Sequence, residues 1–119
     1  MTPDLRDLAA QIIALPGWEW RPGMRAILPI SGRGVHLQDL YAPSGICGCP
    51  AIGSLPDLTD PATAGAMLGM LSGQRVQAQL SPDGWFVMVF TDTITSASAH
   101  APHIGEAIAR IVVARGGWR

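Results

Sequence analysis

Apolar residues recur at the spacing of an amphipathic helix in three segments of the chain. The first spans residues 3 to 15, where Thr2 and Pro3 supply a hydroxyl cap and a first-position proline. The second begins at Asp60-Pro61, and the third begins at Pro102. The predicted buried positions are Leu5, Leu8, Ala9, Ile12 and Leu15, then Ala64, Met67, Leu68 and Leu71, then Ile104, Ala107, Ile108, Ile111 and Val112.

Shorter apolar or alternating segments predict strands that pair as two antiparallel hairpins. The two pairs are residues 24–30 with 35–38 and residues 75–80 with 85–91. In the second pair, Val76, Ala78 and Leu80 are predicted to face inward, and the returning strand is apolar on both faces, which is typical of a central strand. The order α-β-β-α-β-β-α predicts an α+β fold with a mainly antiparallel sheet of about four strands and three helices.

Residues 39 to 58 have no sustained periodicity and are rich in proline, glycine and serine, so they are predicted to form a long surface loop. The 119 residues match the size of one domain, so residues 1 to 119 are taken as a single unit. Gly65 and Gly69 lie inside the second predicted helix. Each costs about 1 kcal/mol relative to alanine, which predicts that both serve close packing against a neighbour.

Composition excludes several classes of protein. With 48% hydrophobic and 14% charged residues the chain is too apolar for a disordered segment, yet its longest strongly apolar run, residues 85 to 90, is far shorter than the roughly 20 residues of a membrane span. All eight basic residues are arginine, so Schiff-base and phosphate-loop lysine chemistry is excluded. A net charge of -1 argues against broad nucleic-acid binding. The N-terminal residues do not resemble an export signal, so we expect a cytoplasmic protein.

Two cysteines and two histidines are the candidate metal ligands, namely Cys47, Cys49, His100 and His103. Structural zinc sites usually separate paired cysteines by two residues, and one residue separates these, so ordinary reduced loop thiols are the favoured interpretation. Cys49 beside His36 or His103 would be a nucleophile and base, but no Gly-x-Ser-x-Gly motif is present. Caps and turns explain Asp57, Asp60, Asp83 and Asp92. We therefore expect a protein without catalytic residues and without a cofactor.

The first predicted hairpin and the segment before it combine aromatic and cationic side chains. These residues are Trp18, Trp20, Arg21, Arg25, Arg33 and His36. Indole rings and guanidinium groups stack on bases, bind phosphate and dominate protein interfaces, so this set is the predicted ligand-binding or partner-binding surface. The alternative is that the two tryptophans cover the core while the arginines are solvated. Trp118, at the C-terminus, is expected to dock either on its own domain or on a partner.

Several stretches together resemble a group of small phage and prophage proteins of unassigned function. They are Trp20-Arg21-Pro22-Gly23-Met24, residues 55 to 65 (LPDLTDPATAG), Gly84-Trp85 and Glu106-Ala107. The segment Ser44-Gly45-Ile46-Cys47-Gly48-Cys49 departs from the group. The resemblance implies an accessory phage protein and carries over no catalytic residue.

The resulting expectation is a nonenzymatic accessory binding protein that counters host defence. It would sequester a small anionic, nucleotide-like ligand or block a host protein, as a homo-oligomer. One alternative is a structural or assembly component of the virion that uses residues 39 to 58 and Trp118 for contacts. The other alternative is a small metal-dependent or cysteine hydrolase that uses Cys47, Cys49, His100 and His103.

Overall fold

The computed structural model describes residues 2–37, 52–71, 73–91 and 94–118, with the backbone alone for residues 91 and 94–96. Those ranges contain three helices and six strands. In chain order they are α1 (Pro3–Ala14), β1 (Arg25–Ile27), β2 (Gly34–His36), β3 (Leu55–Pro56), α2 (Pro61–Met70), β4 (Arg75–Ser81), β5 (Gly84–Thr91), β6 (Ile94–Ala101) and α3 (Ile104–Arg115). The strands form two antiparallel sheets of order β2-β1-β3 and β4-β5-β6.

The predicted α+β class is confirmed, but the prediction of about four strands is wrong. Both predicted hairpins form, and β3 and β6 add one strand to each. β3 has only two residues and lies within the segment predicted to be a loop, of which residues 39 to 51 fall outside the described ranges. The end of β6 alternates alanine with serine and histidine, so only methyl groups mark its buried side and its hydrophobic periodicity is weak.

Caps fix the helix starts. The Thr2 hydroxyl accepts a hydrogen bond from the Leu5 amide at 3.3 Å, and the Asp60 carboxylate accepts one from the Thr63 amide at 2.9 Å. The predicted start of α3 at Pro102 is wrong, because β6 continues to Ala101 and the helix begins at Ile104.

α3 is the central helix of the core. It contacts β5 and β6 of the second sheet as well as α1 and α2. Seven of its twelve residues are buried, which fits a helix packed on several sides. On the second sheet, the side chains of Val87 and Val89 are fully buried against this core. None of the helices in the described ranges is long and apolar enough to cross a membrane.

β4 is an edge strand whose inward residues were only partly predicted. Val76 packs against the core, whereas Ala78 is exposed and Leu80 is 65% exposed. The strand register places all three residues on the predicted inward side, but Ala78 and Leu80 are not buried there. Ala78 and Leu80 are exposed because α3 packs on β5 and β6, whereas β4 lies at the edge of the sheet beyond this helix.

The C-terminal tryptophan docks on its own domain. Trp118 is 1% exposed, and its indole Nε1 donates a hydrogen bond to the Ile12 carbonyl at 3.2 Å. Its amide donates to the Pro16 carbonyl, and its own carbonyl accepts from the Gln74 side chain at 3.1 Å. Trp118 is therefore part of the core, and the expectation that it serves as a virion contact is wrong.

The two glycines of α2 differ from each other. A Cβ at Gly65 would meet nothing within 4 Å, so the prediction that this glycine serves close packing is wrong. A Cβ at Gly69 would lie 3.1 Å from the Arg21 guanidinium, so only Gly69 has a neighbour that approaches it closely.

Candidate functional site

The tryptophans of the predicted binding surface lie at the end of α1. The rings of Trp18 and Trp20 meet edge to face with centroids 5.2 Å apart, and the Trp18 ring lies 5.5 Å from that of Trp118. Trp18 and Trp20 are partly buried and pack against the core. Much of their aromatic surface therefore packs inside the domain, in line with the alternative that the two tryptophans cover the core.

Two of the three predicted arginines are paired with carboxylates. The Nε of Arg21 donates to the Glu19 carboxylate at 2.7 Å. The guanidinium of Arg25 lies against Gly34 of the adjacent strand and pairs with Asp57 at 3.4 Å. Since these carboxylates already neutralise the two cations, an incoming anion would have to compete with them.

Asp57 and its neighbours form a polar network between the first sheet and the start of α2. The buried Asp57 carboxylate also accepts hydrogen bonds from the amide and the hydroxyl of Thr59, at 3.0 and 2.7 Å. The hydroxyl of Thr63, which is fully buried, accepts from the Arg25 amide at 2.8 Å and donates to Asp60 at 3.0 Å. Arg25 therefore has a structural role at this junction.

Arg33 and His36 complete the predicted set. Arg33 is exposed on the turn between β1 and β2, and its side chain forms no ion pair with the part of the chain that the structure describes. His36 is half-buried and lies directly across the ladder from Arg25. A cleft of about 370 Å³ beside this hairpin is lined by other residues, namely Arg6, Ile27, Leu28, Pro29, Ile30, Ser31, Gly32, Gly53 and Leu55. The six predicted residues therefore do not converge on that cleft, and their binding role stays a prediction.

The candidate metal ligands are only partly visible. Cys47 and Cys49 lie outside the described residues. His100 is exposed on β6 and His103 is exposed at the start of α3. Within the described ranges, no group of three His, Cys, Asp or Glu side chains is placed to hold a metal ion. The favoured interpretation of ordinary reduced thiols and the zinc alternative therefore both stay predictions.

The sequence analysis missed an open, partly apolar face of the second sheet. In β5, Val87 and Val89 point toward the helices, so the alternating residues Phe86, Met88 and Phe90 point to the opposite side. These three side chains remain half-buried, and none of the described helices covers them. We call this surface the outer face, and its residues are Arg75, Gln77, Gln79, Phe86, Met88, Phe90, Ser98 and His100.

The outer face has an apolar centre and a polar border. The strand register places Gln77 beside Met88 and Gln79 beside Phe86, and these residues line a shallow cleft of about 340 Å³. The Arg75 guanidinium lies 4.8 Å from the Phe90 ring centroid, which is a cation–π geometry. The sequence did contain a signal for the outer face, because residues 85 to 91 are apolar on both sides of the strand. Periodicity alone, however, does not show whether another element covers the second side.

Comparisons with known proteins give no relative from which a function could be transferred. No protein-family model, no curated protein and no solved structure matches this chain.

Proposed function

We propose that this chain is a nonenzymatic binding protein that blocks a surface of another protein through its outer face. The observation that supports this function is that Phe86, Met88 and Phe90 form the centre of a sheet face that no described helix covers. Contiguous apolar patches bordered by polar groups mark interaction surfaces. Aromatic residues, methionine and arginine are enriched at the centres of protein interfaces, and each occurs here.

The chemistry of the outer face indicates which kind of partner surface fits it. Arg75 and His100 are its only ionisable residues, and the amides of Gln77 and Gln79 both donate and accept hydrogen bonds. The complementary surface is therefore a largely apolar patch with polar groups at its edge, including an acceptor for Arg75. Together with the resemblance to small phage and prophage proteins, this supports a host protein as the target and counter-defence in the host cytoplasm as the role.

A protein partner is favoured over a small anionic ligand, because the outer face is apolar at its centre and the arginines of the predicted anion site are largely paired. Arg21 and Arg25, two of the three arginines predicted to bind the anion, are already paired with Glu19 and Asp57. A role in the virion would depend on residues 39 to 58, because Trp118, the other contact residue of that alternative, is buried. Native mass spectrometry of protein purified from the bacterial host tests the first case, because a retained small anionic mass would indicate sequestration of a ligand and not blocking of a protein. Purification of virus particles tests the second case, because recovery of the chain in the particles would indicate a virion role.

Substitutions on the outer face test the proposed function directly. We expect Phe86→Ala and Met88→Ala each to weaken binding to a host protein captured by the wild-type chain by about 2 kcal/mol, or roughly 30-fold in Kd, as central interface residues do. The measurement is calorimetric titration with the purified partner, after melting curves show that the variants are folded.

The matched control is Ile30→Ala, because Ile30 is 99% exposed and lies on the turn of the other sheet. This control should bind the partner like the wild type. A partner that binds all three variants with unchanged affinity would show that the outer face is not the contact surface.

A further inference from the structure

In the part of the chain that the structure describes, β4 is an edge strand, and it lacks the features that usually protect sheet edges. Natural edge strands are blocked by lysine, proline, a bulge or a short length. β4 has seven residues, contains no proline, and has its single charge at Arg75, the first residue. Its ladder with β5 is continuous from Arg75 to Ser81, whereas the pairing of β5 with β6 shifts register at Val89 and Phe90.

The side of β4 that faces the helices also leaves apolar groups open. Leu80 is 65% exposed and Ala78 is exposed, although both share the inward face with the fully buried Val87 and Val89. Alternate residues of an edge strand also direct their amide and carbonyl groups away from the sheet. A strand placed beside β4 would therefore satisfy backbone groups and cover apolar side chains at the same time.

The sequence of β4 has nearly the same pattern in both directions. Residues 76 to 80 read Val-Gln-Ala-Gln-Leu, so an antiparallel copy centred on Ala78 places Val76 opposite Leu80 and Gln77 opposite Gln79. The apolar residues then meet on one face, and the amides meet on the other. We propose that β4 pairs with β4 of a second copy of this chain about a two-fold axis at Ala78, which joins the two second sheets into one of six strands.

The charges and the symmetry of the strand favour a second copy as the occupant. A two-fold interface requires a surface that is complementary to itself, and the nearly symmetric residue pattern of β4 around Ala78 meets that requirement. Arg75 would lie opposite Ser81 of the second copy, and the two Arg75 side chains would be roughly 20 Å apart along the strands, so like charges do not meet. The pairing uses the strand edge and does not depend on the proposed function of the outer face.

Size-exclusion chromatography with light scattering tests the pairing. The wild-type chain is expected to elute with twice its 12.5 kDa mass. Leu80→Lys places a charge at the strand edge and is expected to halve the mass. The matched control is Ile30→Lys, which makes the same kind of change at a residue that is 99% exposed on the turn between β1 and β2, and this variant should remain a dimer. A wild-type chain that is monomeric at all accessible concentrations would overturn the proposal.

Disulfide formation tests the register with a milder change. In a background with Cys47→Ser and Cys49→Ser, Ala78→Cys places two cysteines directly opposite each other at the axis. Directly opposed Cβ atoms are about 4.5–5.5 Å apart, close to disulfide geometry, so rapid oxidation to a covalent dimer is expected. Gln79→Cys is the register control, because its symmetry mate lies diagonally at about 7–8 Å and should cross-link much more slowly. A dimer that survives Leu80→Lys and fails to cross-link through residue 78 would show that another surface is used, which overturns the proposal.

Discussion

Replacing Trp118 with alanine is expected to lower the free energy of unfolding by about 3–5 kcal/mol, the range for a large aromatic residue removed from a core. The side chain is 1% exposed and packs beside Trp18 with ring centroids 5.5 Å apart. Its loss would leave a cavity where α1 and the C-terminus meet and would remove the hydrogen bond from Nε1 to the Ile12 carbonyl. Urea denaturation followed by circular dichroism measures the change.

Two further variants separate packing from hydrogen bonding at this position. Trp118→Phe keeps most of the apolar volume and should cost less than the alanine variant, because it loses the Nε1 donor and part of the ring. Ile30→Ala, at a fully solvated residue, should stay within about 0.5 kcal/mol of the wild type. If Trp118→Ala were as stable as Ile30→Ala, the tail would contribute nothing to the folded domain.

The features that the sequence predicted well are those with local causes. The starts of α1 and α2 follow from capping side chains three residues before the amides they bind, at Thr2 and Asp60. The hairpin of β4 and β5 follows from an alternating segment and a continuous apolar segment on the two sides of a turn with proline, aspartate and glycine.

The features that the sequence predicted poorly depend on contacts between distant segments. β3 is a strand because its two residues pair with β1, and nothing within Leu55-Pro56 indicates that pairing. The exposure of Ala78 and Leu80 depends on where α3 lies, which an alternating pattern does not report.

The candidate site likewise has features with local causes, which could be predicted, and features that depend on distant contacts, which could not. That Trp18, Trp20 and the arginines lie near the first hairpin could be predicted from their positions in the chain. The pairing of Arg25 with Asp57 could not, because 32 residues separate them and Asp57 was attributed to a cap or a turn. The outer face was overlooked because the double apolar pattern of β5 was attributed to burial on both sides, whereas one side lacks a described covering element.

Gly105→Ala is expected to destabilise the domain by about 1–3 kcal/mol, although alanine is the better helix former. A Cβ at this buried position would lie 2.6 Å from the carbonyl oxygen of Leu58 and 3.3 Å from its carbonyl carbon. Both atoms belong to the backbone, so no side-chain rotation relieves the overlap, and the segment between β3 and α2 would have to move away from α3. Thermal and urea unfolding of the variant measure the loss.

The matched control for Gly105→Ala is Gly65→Ala, the same substitution in another helix. A Cβ at Gly65 meets nothing within 4 Å, so the variant gains helix propensity without overlap and should be more stable by about 1 kcal/mol. The two variants are therefore expected to change stability in opposite directions, which separates the packing effect from the intrinsic preference of alanine for helices. If both variants stabilised the domain, the close contact between the start of α3 and Leu58 would be absent in solution.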